Sequence, residues 1–279
     1  MSMSPDELKL GLGLPALVCG IILIAVLRPW RQGSASRWAV ANALAAGFAA
    51  AYLVLRGWEV NLPPRDDWVW LVYLGLAAAI AAGYGIDIGG GGSPTWTAWV
   101  LFAGLSAYLL VDIGFDQSWA WRGMTAGMMV ASMAALDRLS GRTGSGTFAF
   151  LLCLVVAAAG VVLNESRNET LAQMAWALSA CLGVVAILGW WRPSVKLEGG
   201  GMLVCSILLP GLVMSGYFSG GRMPVWFFLL AALAPAAYWL TELPAARQIV
   251  ARRPTVIQIG VILVTAGAAA TGALIVSRS

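Results

Sequence analysis

Long apolar stretches recur along the chain from Leu8 to Val276, each separated from the next by a short polar interval. A helix needs about 20 mostly apolar residues to cross the hydrocarbon core of a bilayer. The pattern predicts ten such helices, over 8–27, 37–55, 68–86, 96–113, 119–136, 147–163, 171–190, 200–217, 225–241 and 256–276. The thinnest break lies between the fourth and fifth, from Asp112 to Trp121, and the eighth holds Pro210-Gly211 near its middle. The expected fold is all-α: a polytopic transmembrane helix bundle with short loops, with residues 1–279 forming a single integral membrane domain. The opening stretch carries Asp6, Glu7 and Lys9 and runs into Leu27-Arg28-Pro29-Trp30-Arg31. That reads as a retained helix end, because a cleavable signal needs a basic start and a small-residue cleavage site.

Composition agrees with the pattern. Hydrophobic residues make up 60% of the 279 and charged residues 11%, against about 25% charged in a soluble domain. Mean hydropathy is +0.82. The charges behind the net +4 sit in the intervals and near the ends of the stretches, so they read as a topology signal and give no nucleic-acid footprint. Ten Arg and Lys fall in loops after odd-numbered stretches, among them Arg28, Arg31, Arg138, Arg142 and Arg252, against five after even-numbered ones. Cytoplasmic loops carry the excess of Arg and Lys, so both termini are expected on the non-cytoplasmic side of a cell membrane (inner or plasma). Twelve of the 14 tryptophans lie at or near the ends of the stretches, where an amphipathic indole prefers to sit. Trp99 and Trp176 are the two further in.

The fifth stretch has the clearest packing motif. Gly123, Gly127, Ala131 and Ala135 recur every four residues and form one smooth face, flanked by Met124, Met128, Met129 and Met133. Association in lipid relies on close backbone approach, which small residues permit. This helix is expected to sit centrally, against another helix or a partner chain. Ala268 and Gly272 make a weaker version in the last stretch. Pro15, Pro210 and Pro235 fall inside stretches, where each removes a backbone donor. A division after residue 140 gives near-equal halves, 1–140 and 141–279, without a visible sequence repeat.

Chemistry is sparse. There is no histidine, which excludes a Ser-His-Asp triad and the common His-based metal and haem sites. The two lysines, Lys9 and Lys196, lie near the ends of stretches. Cys19, Cys153, Cys181 and Cys205 fall in four different stretches and read as small buried hydrophobes. The Gly89–Gly92 run and the glycines of 141–147 lack the following Lys and preceding strand of a phosphate loop. Asp112 and Asp116 lie one helical turn apart, and Arg122 can reach them across the hairpin. That trio is read either as a polar gate or as an interfacial cluster fixing the turn. Asp137-Arg138 and Glu242 read as plain interfacial charges. Asn42, Thr125, Gln173 and the Pro210 break are the groups expected either to line a cavity or to bond neighbouring helices.

Two functional classes follow. One is a permease for a small apolar or weakly polar solute. The other is a non-catalytic subunit packing against other membrane proteins, or against itself, in a larger assembly. No nucleophile–base set points to an enzyme, and no cofactor or metal is implied. The protein is expected to fractionate with membranes and to leave them only with surfactant. Recovery of folded protein from a detergent-free extract would overturn this reading.

Overall fold

The computed structural model describes residues 5–27, 37–56, 64, 66–84, 93–111, 118–192, 195–197, 199–220, 223–243 and 254–278. Among them every regular element is helical. The α-helices are α1 (Pro5–Leu27), α2 (Arg37–Leu55), α3 (Trp70–Gly83), α4 (Ser93–Leu110), α5 (Ser118–Ser140), α6 (Ser145–Glu165), α7 (Glu169–Trp191), α8 (Gly200–Phe218), α9 (Val225–Leu233) and α10 (Pro254–Arg278). Short 3₁₀ segments, Asp67–Val69 and Pro235–Glu242, precede α3 and follow α9.

The described helices fall on the apolar stretches, but fewer than ten qualify as spans by length and composition. Four do so: Ser145–Glu165, Glu169–Trp191, Gly200–Phe218 and Thr255–Arg278. A fifth follows if α9 and its 3₁₀ continuation count together. Of the remaining helices, α3 is short: its 14 residues reach only about 21 Å at 1.5 Å per residue. In α5, Arg122, Asp137 and Arg138 dilute the apolar character.

Successive helices alternate in direction, as contacts at the two ends show. At one end Tyr52 of α2 meets Trp68 beside α3, with ring centroids 5.9 Å apart. There Trp121 of α5 lies 5.1 Å from Tyr217 of α8, and Asn168 donates to the Gly216 carbonyl at 2.7 Å. At the other end Ser145 of α6 meets the Gly189 carbonyl of α7 at 3.5 Å, and Gly200 of α8 abuts Ala41 and Ala82. The α6–α7 hairpin closes tightly, with Arg167 in the left-handed region (φ 66) and Asn168 N–H returning to the Leu163 carbonyl at 3.0 Å.

The central helix is α8, not α5. It packs on every helix from α2 to α7 and on α9, and 89% of its apolar window is buried. It carries no charge, so any face can turn inward. Pro210 lies in its continuous run and is buried. At Gly211 the missing side chain is replaced by Leu71, Leu110 and Met129 from α3, α4 and α5. Other interior glycines work the same way. Trp176 occupies the space beside Gly160, Trp190 that beside Gly146, and Leu163 that beside Gly216. In α5 the methionine flank packs inward, with Met128, Met129 and Met133 buried. The small-residue face turns the other way: Gly123 and Gly127 are exposed, Ala131 half-buried, and only Ala135 buried.

The α9 helix bends by 73° into its 3₁₀ continuation, where Pro235 removes a helical donor. Phe228 near its start lies 5.6 Å from Tyr217, and Trp239 near its end lies under the Arg138 guanidinium, 4.4 Å away. Tyr217 and Arg138 belong to opposite ends of the bundle. The bent pair therefore traverses it and does not turn back.

A methyl group at Gly47 would sit 2.6 Å from the Cys181 sulfur and 3.0 Å from the Pro15 carbonyl. Overpacking of this kind costs about 1–3 kcal/mol, against a helix-propensity gain of about 1 kcal/mol. Gly47→Ala is expected to lower the thermal midpoint in detergent, and Cys181→Ala to restore part of it. Gly127→Ala, where nothing lies within 4 Å, is expected to leave it unchanged or raise it.

Candidate functional site

Of the predicted polar trio, Asp112 and Asp116 lie outside the described residues. Arg122 is in place and buried, 7% exposed. A long helical side chain leans back over the preceding turn, and that of Arg122 does so. Its Nη2 donates to the Val111 carbonyl at 3.1 Å, just past the end of α4. Its guanidinium lies 4.3 Å from the Tyr108 ring and 5.1 Å from the Trp119 ring. A guanidinium over an aromatic face is attracted by the ring quadrupole, and the carbonyl end of α4 favours a cation. Among the described residues the buried Nε–H has no acceptor.

The groups expected to line a cavity or to bond neighbouring helices lie at different depths of the bundle. Asn42 follows Ala41, which touches Gly200 at the N-terminal end of α8. Gln173 lies in the first turns of α7, after Asn168, which bonds Gly216 near the C-terminal end of α8. The 19 residues of α8 put about 28 Å between those ends. Thr125 lies on α5 between Trp121, beside Tyr217, and Met129, beside Gly211. It is fully buried and its hydroxyl has no partner. Pro210 sits deeper along the same α5–α8 contact, among close-packed side chains.

Most other intramembrane hydroxyls are satisfied locally. Ser106 donates to the Phe102 carbonyl at 2.7 Å, Thr265 to Val261 at 2.8 Å and Thr271 to Gly267 at 2.8 Å. Such back-bonding to the preceding turn carries little functional information. Ser179 instead bridges α7 to the Cys153 carbonyl of α6 at 2.9 Å. The cysteines are free; the Cys181 thiol donates to the Pro15 carbonyl at 3.4 Å, tying α7 to α1.

The opposite end of the bundle holds a polar cluster that the sequence presents only as separate interfacial charges. Arg142 donates to Glu242 at 3.1 Å, and the Tyr238 hydroxyl donates to the same carboxylate oxygen at 2.8 Å. Arg138 covers the Trp239 ring. Burial raises the Asp137 carboxyl above its usual value, while Arg138 beside it opposes the shift. The available signal was spacing: Arg138 and Arg142, like Tyr238 and Glu242, lie four residues apart. Nothing local says that the two pairs face one another across 100 residues. Together they pin the bent segment to the end of α5. The chain matches no family model, no curated protein and no solved structure.

Because the Arg142–Glu242 pair is partly exposed, at 48% and 26%, each of Arg142→Gln and Glu242→Gln is expected to cost under about 1 kcal/mol. The double variant is expected to cost less than the sum, measured as thermal unfolding in detergent. Additive losses would show that the two groups do not interact.

Proposed function

We propose that the chain is a ten-pass integral membrane protein serving as a non-catalytic subunit that packs against partner membrane proteins. Helix alternation, the traversing bend after α9 and the run of apolar stretches support ten crossings. The end bearing Arg138 and Arg142 is the more basic by sequence, which makes it cytoplasmic and leaves both termini on the far side.

The contrast between interior and exterior glycines carries the subunit reading. Gly47, Gly146, Gly160, Gly200, Gly211 and Gly216 are each filled by this chain's own atoms, whereas Gly123 and Gly127 meet nothing within 4 Å. A small-residue face on a helix permits close approach of another helix, and α5 leaves the Gly123 and Gly127 part of its face exposed. Asn42 and Gln173, by contrast, lie toward opposite ends of α8. A permease for a small solute is the second reading. The 73° bend at Pro235 favours it, since broken spans mark binding sites in many carriers.

Purification in mild detergent followed by mass analysis is expected to recover other membrane proteins at fixed ratio. Gly127→Leu is expected to release them while leaving the thermal midpoint of the isolated chain within about 0.5 kcal/mol of wild type, as for an unencumbered surface position. A chain that purifies alone, or a partner set indifferent to Gly127→Leu, would overturn the proposal.

A further inference from the structure

The setting of Arg122 carries an inference that stands apart from the subunit reading. A buried donor without an acceptor costs free energy, and more so when it belongs to a charged group. Among the described residues Arg122 donates to the Val111 carbonyl, and its Nε–H has no acceptor. Its side chain reaches back to the first turn of the 23-residue α5, where the helix dipole also favours an anion. The collar around it faces outward, with Tyr108 48% and Trp119 75% exposed. Below Tyr108, on the same side of α4, Leu105 and Leu101 are exposed as well. A ligand matching this surface needs an anionic head for the guanidinium and a hydrocarbon tail for the leucine face. Amphipathic rings at the junction suit the headgroup level of a bilayer.

We propose that Arg122 and the first turn of α5 hold the phosphate of an anionic phospholipid, with an acyl chain along Leu105 and Leu101. Guanidinium binds phosphate oxygens by charge-assisted, often bidentate hydrogen bonds. The orphan Nε–H supplies one of the donors.

The test uses the full chain in neutral detergent, titrated with phosphatidylglycerol, phosphatidylcholine or inorganic phosphate, and read by native mass spectrometry and thermal unfolding. Phosphatidylglycerol is expected to bind at least about tenfold more tightly than phosphatidylcholine, the scale of one charge-assisted contact. Arg122→Gln is expected to erase that preference, and Arg122→Lys to retain only part of it. Should Arg122→Gln fail to fold, Trp119→Ala at the exposed rim serves instead and is expected to weaken phosphatidylglycerol alone. Asp112→Asn with Asp116→Asn is expected to preserve or strengthen the preference. Equal binding of both lipids, or a preference lost in the double Asp variant, would overturn the proposal. A response to inorganic phosphate equal to that for phosphatidylglycerol would overturn the lipid assignment.

Discussion

Backbone amides in hydrocarbon have no water to turn to, so each must find its partner within its own segment. That requirement accounts for the uniformly helical character of the described residues. It also removes the usual force that gathers helices, because lipid tails are as apolar as leucine. Close approach has to supply the cohesion instead. Here it does so through glycines that admit a neighbour's side chain, such as Cys181 at Gly47, Leu71 at Gly211 and Trp176 at Gly160. Each contact converts a missing Cβ into dispersion contact between two helices. The helix best suited to this is α8, uncharged and carrying Gly200, Gly211 and Gly216 at its contacts, and the bundle is built around it.

The same economy sorts the polar groups. Hydroxyls within the bundle mostly bond the preceding turn of their own helix, which leaves them inert. Charges are pushed to the ends, and there they acquire tertiary partners. At one end Arg142, Glu242 and Tyr238 secure a bent segment; at the other Arg122 is held between aromatic rings and a helix-terminal carbonyl.

The bend after α9 is the main departure from straight helices. Pro235 opens the helical ladder, and the 3₁₀ continuation redirects the chain by 73°. The two parts remain a single traverse because each end is tied to a different rim, Phe228 to Tyr217 and Trp239 to Arg138. Without the Arg138 and Arg142 contacts, the same sequence would fit a segment that enters and leaves on one side.

Helix positions and the membrane class were legible from residue order, because hydrophobicity and its interruptions are local properties. Pro210 and Pro235 were visible too, yet one lies in a continuous buried helix and the other marks a sharp bend, since neighbours determine which outcome is tolerated. The Gly123–Ala135 stripe reads identically whether it faces a sister helix or the exterior. The fold leaves its Gly123 and Gly127 exposed and buries Ala135, with Met128, Met129 and Met133 inside. Pairings such as Arg142 with Glu242 join residues 100 positions apart and leave no periodic trace. Local pattern says which segments become helices; which of them meet, and by which faces, depends on how all the side-chain volumes are accommodated at once.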